Sequence, residues 1–208
     1  MTRNGLDYML YGGSLIGSYR HHGLVPWDDD VDVLVPYSNK SVLNEVLSSV
    51  SPQHVLNKDW DFTWKLFSVK ADEIRGYSWK WPYLDIFFYA ENETHIWDVA
   101  QQYKQNYVFP KNIVFPLKRR PFMGLRLLTP AKPRSVIDTN YNITLCQSGK
   151  WIHKWERYGT ETSVSCSELY FKFPFVFRTF QKGGCNESLF HNDTLIGYYF
   201  EEDTPCDR

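Results

Sequence analysis

Residues 11–35, YGGSLIGSYRHHGLVPWDDDVDVLV, bring two kinds of chemically useful group close together. Asp30 and Asp32 alternate with Val31, Val33 and Val35. In an extended strand that alternation sends both carboxylates to one face and the valines to the other. Neighbouring carboxylates suit a hard divalent ion, Mg²⁺ or Mn²⁺, which keeps coordination positions for water and a substrate phosphate. An isolated acidic run is more often a solvated turn, but this one is embedded among Val, Leu and Trp, which such a turn does not need. A calcium loop of the EF-hand type fails, because Val33 stands where that loop needs glycine and Asn39 where it needs a bidentate Glu.

Gly12, Gly13 and Ser14 supply the second ingredient. Residues 6–11 read as a short strand, which the glycines break ahead of a helix expected over residues 15–21. Such a turn lets backbone N–H groups approach an anion, and the helix N-terminus adds partial positive charge. Ser14 could cap that helix or touch a phosphate. Gly-Gly alone is an ordinary connection; its spacing to Asp30 and Asp32 makes phosphoryl transfer the reading. Arg20 is the candidate phosphate clamp, since a planar guanidinium can pair with two phosphate oxygens. His21 and His22 are expected to be structural or to touch substrate, because hard ions prefer oxygen.

These groups need a scaffold. Residues 30–35 form the carboxylate strand, and residues 38–49 read as a helix with Ser38 as cap and Val42, Leu43, Val46 and Leu47 on one side. Residues 61–69 and 83–89 read as strands. The second carries Asp85 inside an apolar run, a place where a carboxylate needs a partner. Residues 97–107 have no clear period. Trp79-Lys80-Trp81 and Phe171-Lys172-Phe173 alternate as half-buried strands do, although sugar-stacking surfaces share that pattern. From residue 150 the composition turns toward Gly, Ser, Cys and aromatics, so the expected division is a catalytic unit over 1–149 and an extension over 150–208 packed on it.

The string GGSLIGSYRHHGLVPWDDDVDV resembles the LicD family of the nucleotidyltransferase superfamily, which includes bacterial phosphocholine transferases and fukutin-type animal proteins. WPYLDIF, residues 81–87, resembles the family's second block, whose aspartate, here Asp85, is the third metal-site carboxylate. FPLKRRPFMGLRLLTPAKPRSVIDTNYN, residues 115–142, is similar to a third block with a basic residue before a PF-x-G turn. The resemblance covers about residues 6–145. It implies an α/β (α+β) nucleotidyltransferase-like mixed sheet flanked by helices, with a cysteine-containing C-terminal extension. It also implies transfer of choline, ribitol or glycerol phosphate from a CDP-activated donor to a hydroxyl of a glycan or glycoprotein, releasing CMP. Asp30, Asp32 and Asp85 would hold Mg²⁺ or Mn²⁺ and act in catalysis, and Gly12, Gly13, Ser14 and Arg20 would hold phosphate. Arg119 and Arg120 are weaker candidates for phosphate, because Lys118, Arg119 and Arg120 also read as a solvated basic turn. Two rival functions are a nucleotidyltransferase releasing pyrophosphate and an inactive module that kept the fold.

Composition narrows the partners. A net charge of −1 over 208 residues leaves no basic field for nucleic acid. Cys146, Cys166, Cys185 and Cys206 lack any C-x-x-C spacing, so disulfides are expected rather than zinc, with the pairing open. Asn39, Asn92, Asn142, Asn186 and Asn192 sit in N-x-S/T sequons. All but Asn39, which lies close to the metal strand, are expected to carry glycans. Cysteines and sequons together point to the secretory lumen, the Golgi on the family resemblance. Residues 1–10 hold no signal segment, and no apolar stretch reaches about 18 residues. The expectation is therefore a fragment whose full-length form carries a membrane anchor.

Overall fold

The computed structural model describes residues 1–50, 52–202 and 206. A seven-stranded mixed sheet forms its centre, with β1 (Met9–Leu10), β2 (Val31–Pro36), β5 (Lys80–Glu91), β4 (Thr63–Glu73) and β3 (His54–Asn57) side by side. β6 (His95–Asp98) pairs with the end of β5, and β7 (Val108–Pro110) pairs with β6. β2 runs parallel to β5, while every other pairing in this sheet is antiparallel. The α/β class expected from the sequence is the one observed, a mixed sheet with helices packed on it.

Apolar residues at alternate and successive positions bury this sheet on both faces. Leu10, Leu34, Val35, Ile86, Phe88 and Ile96 have no exposed surface. Full burial of one such side chain stabilises by about 1.5–3 kcal/mol. Helix α1 (Gly12–His21) packs against β2, and α2 (Lys40–Ser48) buries Leu43 and Leu47, one turn apart. Val42 and Val46, expected on the same stripe, are exposed and half-buried, because the contact is one row of residues wide.

Several boundaries differ from expectation. The strand expected over 6–11 shrinks to Met9–Leu10, since Thr2–Asn4 form a 3₁₀ turn that ends on Gly5 in the left-handed region. Gly12, Gly13 and Ser14 are not a linker before α1 but its first turn. Phe171, Lys172 and Phe173 lie in a turn, whereas Lys80 and Trp81 open β5.

The rest of the chain is made of short paired elements. α3 (Lys111–Val114), the hairpin of β8 (Lys118–Phe122) and β9 (Leu125–Thr129), and α4 (Pro133–Ile137) lead to β10 (Leu145–Gln147), which pairs with β13 (Ser163–Ser165). Between these two strands lies the small hairpin of β11 (Trp151–Ile152) and β12 (Arg157–Tyr158). A three-stranded meander, β14 (Phe175–Gln181), β15 (Gly184–His191) and β16 (Thr194–Glu202), is the last of the described elements. The cysteines form two disulfides, Cys146–Cys166 and Cys185–Cys206. The first closes a loop across the expected boundary at 149/150, so that boundary falls inside one covalently tied unit. Among the described residues no helix is long and apolar enough to cross a membrane.

Asn92 and Asn192 lie exposed in turns, and Asn39 is half-buried. Asn142 is exposed, but its side chain accepts hydrogen bonds from the backbone and hydroxyl of Thr144. Asn186 corrects the expectation for that sequon. It is buried on the central strand β15 and donates to Ser188, so it is closed to a glycan in the folded chain.

Candidate active site

Strand register brings the acidic residues together. The parallel pairing of β2 with β5 sets Asp32 beside Asp85, and the antiparallel pairing of β4 with β5 sets Lys65 beside Asp85. Asp30 precedes β2 with the same parity as Asp32. One oxygen from each of Asp30, Asp32 and Asp85 lies within 4.8 Å of the others. Lys65 Nζ donates to Asp85 Oδ1 at 2.6 Å and sits 3.8 Å above the Tyr83 ring. Asp85 therefore has the partner that its apolar strand demanded.

One lysine does not balance three carboxylates. Burial, then the neighbouring Asp32, pushes the Asp30 carboxyl up to about 10. Burial, then Asp85, holds Asp32 well above the usual carboxylate range. Burial also raises Asp85, and Lys65 offsets only part of that. Oxygen-only donors, convergence and a deficit of positive charge fit a hard divalent ion bound by Asp30, Asp32 and Asp85.

Helix α1 points its first turn at this cluster. Tyr11 is the extended N-cap and no side chain caps the helix. Gly12 has φ +49°, and a Cβ there would lie 3.1 Å from Asp32 Oδ2. A Cβ on Gly13 would collide with the Asp28 carboxylate. Both glycines are therefore needed for carboxylates to approach the helix terminus. Ser14 does not cap the helix; its buried hydroxyl accepts from the Asp32 backbone N–H at 2.8 Å, tying α1 to β2.

The segment between β10 and β13 closes over the acidic cluster. Asp29 accepts from His153 Nδ1 at 2.8 Å and from the Lys154 N–H at 2.9 Å, leaving His153 Nε2 3.4 Å from Asp30 Oδ2. Glu156 takes hydrogen bonds from Trp79 Nε1 at 2.8 Å, Tyr83 Oη at 2.5 Å and Trp151 Nε1 at 2.9 Å. The Asp29 side chain thus staples this loop rather than joining the three converging carboxylates. The cavity so formed has a volume of about 780 Å³. At one end stand Tyr103, Tyr107, Tyr141 and Asn140, and elsewhere on its wall Trp60, Lys65, His153 and Glu156.

Residues 5–132 match the family described as LicD/FKTN/FKRP, nucleotidyltransferase domain. The chain belongs to this family. Mouse (Mus musculus) ribitol 5-phosphate transferase FKRP is 28% identical over 145 residues, which are 66% of this chain and 28% of that protein. Human (Homo sapiens) ribitol-5-phosphate transferase FKTN is 26% identical over 151 residues, 69% of this chain and 30% of FKTN. Lipopolysaccharide cholinephosphotransferase LicD of Haemophilus influenzae is 58% identical over 31 residues, 15% of this chain and 12% of LicD. This chain spans less than a third of the length of FKRP or FKTN.

In this LicD-family chain the basic residues do not gather as expected. Arg20 lines the cavity, with Nε donating to His21 Nε2 at 3.0 Å and Nη1 to the carbonyls of Ile143 and Leu145, and burial lowers its pKa to about 10. Arg120 corrects the phosphate-binding expectation. It has no exposed surface and pairs with Glu187 at 2.5 Å and with Glu201. Arg119 is exposed on β8, bonded to the Arg126 carbonyl and outside the cavity wall. His21 and His22 are structural, bonded to the Pro174 carbonyl at 2.7 Å and to Glu187 at 2.9 Å. Lys65, His153 and Glu156 were not found by sequence reasoning. Only Lys65 left a signal, as a charge alternating with Trp64 and Leu66.

Proposed function

We propose that this chain transfers a phosphorylated alcohol from a CDP-activated donor to a hydroxyl of a glycan, releasing CMP. The observation that carries this reading is the convergence of Asp30, Asp32 and Asp85 on the uncapped N-terminus of α1. The names of the relatives support the reaction class, since FKRP and FKTN are called ribitol-phosphate transferases and LicD a cholinephosphotransferase. Mg²⁺ or Mn²⁺, when bound, supplies positive charge that offsets charge on the leaving phosphate.

The chain's own groups do the rest. Asp30, Asp32 and Asp85 hold the ion, and Lys65 fixes the orientation of Asp85. First-turn N–H groups at Gly12 and Gly13, which lack intrahelical partners, meet the donor pyrophosphate. Asp29 anchors His153 against Asp30 on the cavity wall. The acceptor oxygen forms a bond to the phosphorus that bears the alcohol. The anhydride bond to CMP breaks, CMP leaves with that bond's electron pair, and the acceptor proton passes to solvent. Two disulfides and the exposed sequons Asn92 and Asn192 support a site of action in an oxidising, secretory lumen, the Golgi in this proposal.

The test is incubation of the purified chain with Mg²⁺ or Mn²⁺, a glycan acceptor and CDP-choline, CDP-ribitol or CDP-glycerol in parallel. Acceptor-dependent CMP release from one donor is expected. Pyrophosphate release from a nucleoside triphosphate, with no CMP from any donor, would contradict the proposal.

A further inference from the structure

Asn140 has an unmet hydrogen bond at the tyrosine-lined end of the cavity. Its amide nitrogen donates to the Asn106 carbonyl at 2.9 Å. That bond fixes the orientation of the amide, because turning it over would set oxygen against oxygen. Asn140 Oδ1 is left closed to water and without a partner. A buried acceptor without a donor is expensive, and beside a cavity it marks a place where a ligand can supply one.

The surroundings suit a planar ligand. Tyr103 and Tyr107 meet edge to face with centroids 5.0 Å apart, and the Tyr107 and Tyr141 hydroxyls share a hydrogen bond at 3.1 Å. Gln102 and Asn142 line the same cavity. This end also adjoins the phosphate-facing turn. A Cβ on Gly12 would lie 3.9 Å from the Tyr141 hydroxyl as well as 3.1 Å from Asp32 Oδ2. A nucleotide whose phosphates meet Gly12 and Gly13 has its base within reach of these rings. Lys65, His153 and Glu156 put the charged side chains on other parts of the wall, where sugar hydroxyls would find partners.

We propose that Asn140 reads the base of the donor nucleotide: the base packs among Tyr103, Tyr107 and Tyr141, against the face of one ring and the edges of its neighbours, and its exocyclic amine donates to Asn140 Oδ1. Cytosine carries an amine at that edge. Uracil carries a carbonyl oxygen there and would face Asn140 acceptor to acceptor. Closure of Oδ1 to water means that the side chains around it part as the base enters. The inference rests on the CDP-alcohol reading and adds the residue that selects cytidine. Asn140 and Tyr141 lie beyond the matched residues 5–132, at the end of the third block, residues 115–142.

Isothermal titration of the purified chain with CMP and with UMP, in Mg²⁺, tests the assignment. Wild type is expected to bind CMP at least about tenfold more tightly than UMP. Asn140→Leu is expected to abolish that preference by weakening CMP alone, so its retained UMP binding serves as the folding control. Tyr103→Ala is expected to weaken both nucleotides by about tenfold or more. Equal binding of CMP and UMP by wild type, or an unchanged preference in Asn140→Leu, overturns the assignment of Asn140 and leaves the phospho-alcohol reading intact. A wild-type chain that binds neither nucleotide overturns both.

Discussion

Two buried groups of carboxylates in this molecule are built in opposite ways. Asp30, Asp32 and Asp85 face one another with Lys65 as the one close ammonium among the described residues, and each is held above its usual carboxylate range. Glu187 and Glu201 sit beneath the C-terminal meander with Arg120, Arg178, Lys118 and His22 around them. Burial works to raise Glu187, but His22, Arg120 and Arg178 outweigh it and hold the carboxyl at about 2. The second group is complete without a ligand and ties β8, β15 and β16 to α1. The first stays short of positive charge even with Lys65 on Asp85 and His153 beside Asp30, which is the state expected of a site that awaits a cation.

The largest separation of the two comes from removing one member of each. Asp32→Asn should reduce turnover by several orders of magnitude, on the scale of losing a metal-held phosphate contact. The same change should leave the circular dichroism spectrum intact and raise the melting temperature in EDTA, because like-charge repulsion is relieved. Arg120→Met should do the reverse. It removes the guanidinium that Glu187 and Glu201 share and should cost about 3–5 kcal/mol in urea unfolding, enough to threaten folding of a small domain.

Proton linkage should also run with opposite sign in the two groups. The folded-state pKa of Glu187, about 2, lies below its ordinary value of 4.5. Its contribution to stability is therefore full above pH about 4.5 and is lost as pH falls through about 2. Asp30, at about 10 against 3.8, binds protons more readily in the folded chain. Stability of the metal-free protein should accordingly fall as pH rises from about 4 toward 10. Thermal melts in EDTA across that range should show the decline in wild type and a shallower one in Asp32→Asn, and Mn²⁺ should flatten it. A wild-type profile that stays level in EDTA would place the acidic cluster in the same paired class as Glu187.

The smallest effect concerns the loop that closes the site. Trp151→Phe removes one of three donors to Glu156 and should cost about 1.5–3 kcal/mol, the range for a hydrogen bond to a charged group. Urea unfolding would read that loss, and a change near zero would mean that Trp79 and Tyr83 hold Glu156 unaided.

How far the sequence reached depended on the range of the interaction. Asp30 and Asp32 were legible because a period of two along one strand is a local property, and Asp85 because its block resembles the LicD family. Leu43 and Leu47 were legible for the same local reason. Lys65 was not, since its place beside Asp85 is set by the register of two strands. His153 and Glu156 reach the site through a loop held by Asp29, Trp79 and Tyr83, and no pattern within residues 150–158 announces those contacts. Arg119 and Arg120 misled because a basic run reads as surface until its partners are known, and the partners of Arg120 come from β15 and β16.

The central claim is that Asp30, Asp32 and Asp85 form the cation site. Anomalous scattering from crystals of this protein grown with Mn²⁺ tests it most directly. The account predicts a manganese peak bounded by oxygens of all three aspartates and facing Gly12 and Gly13. A peak held instead by Asp28, Asp29 and His153, or none within the cavity at saturating Mn²⁺, would contradict it.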